Sequence, residues 1–193
     1  MQSLQEEIRN CRKCSLAHTR TNVVVGDGSL SADTLFVGEA PGFYEDREGK
    51  PFVGAAGQLL ERLLKSIGLS RADVYIANIL KCRPPQNRDP LPEEIEACKP
   101  FLLRQIDIIK PKVICTLGNF ATRLILDKNV NISQVRGKKI VHGNLLVFPI
   151  FHPAAALHAT TNLSSLEEDF QKLKLALEED IEFQPQPEQT SLF

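Results

Sequence analysis

At 193 residues, with 42% apolar and 24% charged side chains, the chain is long enough to bury one sizeable core and has the composition of an ordinary globular domain. The formal net charge of −1 gives no general attraction to polyanions, but acids gather from Leu163 onward and residues 1–162 carry about +5, which leaves room for an anionic ligand. No run of about 18 apolar residues is present to span a membrane, and Met1 to Asn10 is polar and acidic, unlike a secretory signal, so no membrane partner is expected and the expected compartment is the cytoplasm.

Ser3 to Asn10 reads as a short helix carrying Leu4 and Ile8, and it leads into Cys11-Arg12-Lys13-Cys14. The C-x2-C spacing suits a metal site or a reactive dithiol. The dithiol pattern expects an adjacent βαβ strand, whereas here a polar loop runs on through Asn22. Thr34 to Val37 is a short buried strand, and it ends in Gly38-Glu39-Ala40-Pro41-Gly42, a tight turn with a carboxylate at its boundary. Glu39 to Phe52 reads as a long polar loop holding Glu45, Asp46 and Glu48. Gly54 to Ile67 is a helix, because Leu59, Leu60, Leu63, Leu64 and Ile67 recur on one face and Gly68 closes it.

Val74 to Ala77 is the second strand, with Asn78 just beyond it. The stretch from Lys81 to Pro90 is proline-rich, and Lys81, Arg83 and Arg88 make it basic. Pro92 opens a helix to about Ile109, with Glu93 and Glu94 where the helix dipole favours acids. Lys112 to Leu117 is the third strand, with Cys115 as a core thiol, and Asn119 to Leu126 is the next helix. Residues 127–144 read as irregular, and Arg136 and Lys138 lie in a basic run that suits either a phosphate or plain solvation. Leu145 to Phe151 is the fourth strand, and Pro149 within it points to an edge position or an irregularity. His152-Pro153-Ala154 follows, and a last helix runs from Ser164 or Ser165 to about Ile181. Residues 1–182 form the expected single domain, and 183–193 a flexible tail.

Strands alternating with helices predict an α/β fold with a mostly parallel sheet covered on both faces. The carboxyl ends of such strands share one rim, and Glu39, Asn78 and His152 each lie just past a strand. An amide presents donor and acceptor side by side to a planar heterocycle, an imidazole stabilises charge on a leaving group, a carboxylate handles water, and the Phe52 ring can stack. There is no G-x-x-x-x-G-K-[ST] and no strand–G-x-G-x-x-G–helix, which removes the main support for nucleoside triphosphates and dinucleotides. Cys11, Cys14, Cys82 and Cys98 supply four thiolates for Zn²⁺ or a [4Fe–4S] cluster, and their spacing does not choose between the two.

Taken together, these residues closely resemble the family 4 uracil-DNA glycosylases. The matching stretches are Gly38-Glu39-Ala40-Pro41-Gly42, Glu45 to Gly54 with Ala56-Gly57, Asn78, Lys81-Cys82-Arg83-Pro84-Pro85 with Asn87-Arg88, and His152-Pro153-Ala154, over about residues 4–180. The resemblance implies a three-layer α/β/α sandwich around a four-stranded parallel sheet. It also implies a structural [4Fe–4S] cluster on Cys11, Cys14, Cys82 and Cys98. It implies release of uracil flipped from single- or double-stranded DNA, by a monomer acting where the cell keeps its DNA. Phe52 would stack on uracil beside Gly38 and Ala40, Asn78 would read its edge, His152 would stabilise charge at O2, Glu39 would position water, and Glu45 would support the sugar or water site. Arg83, Arg88, Arg136 and Lys138 are the expected DNA contacts. The apolar wedge that fills the vacated stack falls at Ala156, with Leu157 next. Glu39 argues against family 5, which carries a glycine–leucine motif there. The acidic C-terminal region has no counterpart in the resemblance and is a candidate contact for a repair or replication partner.

Overall fold

The computed structural model describes residues 1–143, 145–157 and 159–179. Four strands form the parallel centre of the sheet: β2 (Thr34–Gly38), β3 (Tyr75–Asn78), β4 (Val113–Leu117) and β6 (Leu145–Ile150). Two short antiparallel strands, β1 (Asp27–Gly28) and β5 (Ile140–His142), flank them and make a six-stranded sheet of order β1-β3-β2-β4-β6-β5. The expected four parallel strands are thus present, and the edges carry additions too short to show a periodic pattern.

Side-chain alternation assigns each strand residue to a layer. Leu35, Val37, Ile114 and Val147 face one core, shared with α1 (Gln2–Arg9), α4 (Pro92–Ile109) and α5 (Gly118–Leu126). Phe36, Val113, Cys115, Leu146 and Phe148 face the other, shared with α3 (Ala55–Ser66) and α8 (Thr160–Glu178). Both faces are buried, which is why these strands read as continuous apolar runs. Cys115 is fully enclosed, as expected of a core thiol. Among the described residues no helix is long and apolar enough to cross a membrane.

Three local expectations are corrected. The polar loop from Glu39 to Phe52 contains a helix, α2 (Phe43–Glu48), which starts after Gly42 and ends at Gly49 in a left-handed conformation. Glu45 and Asp46 lie in its first turn, where the backbone dipole favours acids, but six residues show no apolar period. The irregular stretch 127–144 contains α6 (Ile132–Val135), capped by the Asn131 side chain, as well as β5. Pro149 is not at an edge, since β6 lies between β4 and β5. The β5 pairing stops at Val147, so the hydrogen-bond donor that Pro149 lacks is not required there, and its carbonyl accepts instead from Gly137 N at 2.8 Å. The tail 183–193 and its expected partner contact lie outside the described residues.

Candidate active site

The carboxyl ends of β2, β3 and β6 converge on one rim. Gly38 pairs with Asn78, and the ladder continues past both strands through Ile79 N to Gly38 O at 2.9 Å and Leu80 N to Glu39 O at 3.0 Å. A short helix, α7 (Pro153–Ala156), begins directly after His152. Between these ends lies a cavity of about 320 Å³, lined by Glu39, Ala40, Pro41, Gly42, Glu45, Phe52, Ala56, Asn78, Pro84, Asn87, Arg88, His152 and Ala154. The rim residues expected from the sequence therefore meet in one place.

Phe52 forms one wall, and its backbone is held in the left-handed region at φ 53°, an unfavourable setting for an aromatic residue. Two clamps hold it there. On one side Glu45 Oε1 accepts from Val53 N at 2.9 Å and Gly54 N at 3.0 Å. On the other, Arg71 donates to Pro51 O at 2.7 Å and Phe52 O at 2.9 Å, and is itself anchored by Asp27 at 3.3 Å and Glu61 at 3.8 Å. Two glycines give the ring and backbone room: a Cβ on Gly38 would stand 2.9 Å from the Phe52 ring and 2.3 Å from Asn78 Oδ1, and one on Gly57 would stand 1.8 Å from Phe52 O. Asp46 instead ties α2 to the N-terminal loop, accepting from Thr21 N and Asn22 N at 2.9 and 3.3 Å.

Asn78 is buried, and its Oδ1 has no hydrogen-bond partner among the described residues. A buried orphan acceptor in a cavity wall marks a place where a ligand donor belongs. Its backbone carbonyl accepts at 2.8 Å from Lys81 Nζ, which also donates to Gln105 Oε1 at 2.6 Å. Gln105 Nε2 in turn reaches Val25 O at 2.8 Å and Tyr75 Oη at 3.3 Å. Lys81 is enclosed and burial lowers its pKa to about 8, so this network braces the strand end that carries Asn78.

His152 stacks on Phe52 with centroids 5.5 Å apart and planes at 30°. Its Nδ1 accepts from Ala154 N at 3.1 Å, so the single proton of the neutral ring sits on Nε2. Burial pushes its pKa down to about 4, and the ring is neutral at physiological pH. Burial pushes Glu39 the other way, to about 7, with Asp89 adding repulsion. A neutral N–H donor and a carboxyl poised near neutrality thus face one cavity that holds an aromatic wall and an orphan acceptor. That set can bind a planar ring edge-on, accept charge on it, and activate a water.

The remaining expected residues are distributed unevenly. Arg88 lines the cavity while its guanidinium makes a two-point pair with buried Glu94, at 2.6 and 2.9 Å. Arg83 lies beside the cavity, donating to Asn87 Oδ1 at 2.7 Å. Lys138 is on the surface and donates to Gln134 O. Arg136 is committed elsewhere: it holds buried Asp169 through two bonds of 2.8 Å, and also donates to Ser165 O. Its guanidinium is thus engaged within the protein, and the side chain is 19% exposed. Ala156 is enclosed in the core, whereas Leu157 is 40% exposed.

The cofactor expectation is also corrected. Cys11, Cys14, Cys82 and Cys98 do line one narrow void, together with Ile8, Lys81 and Phe101. Among the described residues no group of three or more His, Cys, Asp or Glu is arranged to hold a metal ion. The thiols are free, and three of them accept hydrogen bonds: Cys82 from Arg20 at 3.1 Å, Cys98 from Lys81 N at 3.2 Å and Cys11 from Lys13 N at 3.5 Å. Burial raises Cys82 and pushes Cys98 up to about 11, which favours protonated thiols.

Sequence reasoning missed Arg71 and Gln105. Each acts on the site through backbone carbonyls and partners distant in the chain, and no local pattern marks either.

Comparison with known proteins agrees with this geometry. The profile of the Uracil DNA glycosylase superfamily matches residues 25–178. The type-4 uracil-DNA glycosylase of Sulfurisphaera tokodaii is 50% identical over 183 residues, covering 90% of this chain and 83% of that protein. That of Archaeoglobus fulgidus is 49% identical, covering 90% and 92%, and that of Thermotoga maritima is 50% identical, covering 84% and 85%. The chain therefore belongs to the uracil DNA glycosylase superfamily and, within it, to the type-4 uracil-DNA glycosylases.

Proposed function

We propose that the protein excises uracil from DNA, releasing the free base and leaving an abasic site. The observation that carries this reading is the buried, unpartnered Asn78 Oδ1 in a cavity walled by Phe52. Uracil offers an N3–H donor beside the O4 acceptor, which satisfies an amide. Cytosine offers an acceptor at N3, which would leave Oδ1 facing another lone pair. The base must leave the stack to reach this site, and exposed Leu157 fills the gap behind it.

In the reaction the N1–C1′ bond breaks first, leaving positive charge on the sugar and negative charge on uracil. His152, neutral and protonated on Nε2, donates to uracil O2 and stabilises the departing anion without losing its proton. Glu39 as carboxylate stabilises the sugar cation, orients water on C1′ and takes its proton as the C1′–O bond forms. The uracil anion takes a proton from solvent. Glu45 is a positioning residue, since its oxygen is engaged in holding the backbone after Phe52. The protein acts as a monomer on single- and double-stranded DNA, in the compartment that holds it.

Oligonucleotides with one uracil, single- and double-stranded, test the reading. Free uracil and an alkali-labile site are the expected products, with none from matched cytosine or thymine strands. A stoichiometric protein–DNA adduct without free uracil, or no reaction, would overturn it.

A further inference from the structure

α2 carries two aromatic side chains that the base pocket does not use. Phe43 is 47% and Tyr44 56% exposed, in a segment otherwise made of charged residues. Their rings meet edge to face, with centroids 5.4 Å apart and planes at 81°. Two guanidiniums pack on the Phe43 ring: Arg47, one helical turn along, at 5.7 Å, and Arg83, from the proline-rich loop after β3, at 5.2 Å. Neither arginine has a carboxylate within ion-pair distance among the described residues, so their charge is not neutralised by an internal partner. The group adjoins the cavity, because Gly42 and Glu45 on one side and Pro84 on the other belong to its lining.

We propose that Phe43, Tyr44, Arg47 and Arg83 form a second stacking subsite, which holds an unpaired nucleotide of the same DNA strand beside the flipped uracil. Exposed rings alone fit many partners. The uncompensated positive charge selects an anionic one, and continuity with the base pocket selects the strand already bound there. Tyr44, the more exposed of the two rings, takes the base, while Arg47 and Arg83, braced against Phe43, meet the flanking phosphates. Aromatic faces interleaved with cations are the means by which single strands are held without base reading. The subsite would favour single-stranded over duplex substrate, where a neighbouring base is already stacked.

This inference rests on the glycosylase reading for its biological sense but can be measured without it. Thymine-containing single strands, which are not cleaved, are lengthened one nucleotide at a time on either side of a fixed base, and binding is followed by fluorescence anisotropy. The wild type is expected to gain affinity as the strand reaches the subsite. Tyr44→Ala is expected to lose about ten-fold on the long strand and to show a flattened length dependence, while Tyr44→Trp retains both. Arg47→Gln and Arg83→Gln are each expected to reduce the slope of log affinity against log salt by about 0.7. Length dependence and salt slope unchanged in Tyr44→Ala, Arg47→Gln and Arg83→Gln, each with wild-type thermal unfolding, would overturn the subsite, as would equal loss on duplex and single strand. Uracil release by the wild type, scored in parallel, tests the glycosylase reading separately.

Discussion

Two carboxyl groups in this molecule are both raised by burial and put to opposite uses. Asp169, on α8, is fully enclosed, and burial raises it to about 6 against the pull of a two-point Arg136 pair. Glu39, at the end of β2, is raised further, to about 7, and the charged neighbour acting on it is another acid, Asp89. Asp169 and Arg136 satisfy each other and tie α8 to the segment that precedes β5. Glu39 is half-buried at the cavity, with no ion pair among the described residues. A buried charge with its partner fixes structure, whereas one without a partner stores the free energy that a reaction can use.

That contrast can be tested by removing each charge. The largest expected effect is on chemistry: Glu39→Gln should slow single-turnover uracil release by about 100- to 1,000-fold with DNA affinity nearly unchanged. Because the folded state binds the Glu39 proton more tightly than the unfolded chain, its contribution to stability is present at low pH and is lost as pH rises from about 4.5 to about 7. Glu39→Gln should therefore melt higher than wild type above about pH 7, and the difference should shrink on acidification. Asp169→Asn acts through its partner instead: stranding Arg136 should cost about 3 kcal/mol in denaturant unfolding, with single-turnover release by the folded fraction close to wild type. A slow Asp169→Asn enzyme of normal stability would break the comparison.

Next in size, His152→Ala should slow release by about 100-fold, through loss of the Nε2–H donor. Asn78→Asp keeps an acceptor but loses the amide donor, and should narrow the preference for uracil over cytosine by about ten-fold, read as the ratio of kcat/KM values. The smallest effect is expected from Arg71→Ala, which releases one of the two clamps on Phe52. It should lower kcat/KM by about ten-fold and stability by about 1–2 kcal/mol, and the retained Glu45 clamp explains why the loss is partial.

How much of this was legible in the sequence follows from where each partner lies. The parallel strands could be read because burial on both faces makes them unbroken apolar runs, and the rim followed because Glu39, Asn78 and His152 each come directly after one. α2 could not, since six polar and aromatic residues have no helical period. Arg136 carried the right charge for a phosphate, but its partner Asp169 is 33 residues away and only the packing of α8 reveals it. Ala156 and Leu157 are adjacent in sequence and opposite in exposure, a distinction set by the pitch of α7 against the core. The cysteines were legible as a group that would meet. Whether their sulfurs are arranged to hold a metal ion was not, because that depends on how α4 and the loop after β3 pack against the N-terminal segment.

The central claim is that the unpartnered carboxylate of Glu39 drives the water step beside a histidine that stays neutral. The most direct measurement is the pH dependence of kcat/KM for uracil release by wild type and Glu39→Gln. The expected wild-type profile rises with pH as Glu39 loses its proton near pH 7 and then levels, with no inflection from His152 above about pH 5, and the Glu39→Gln profile is low and flat over that limb. The same rising limb in both proteins would contradict the account.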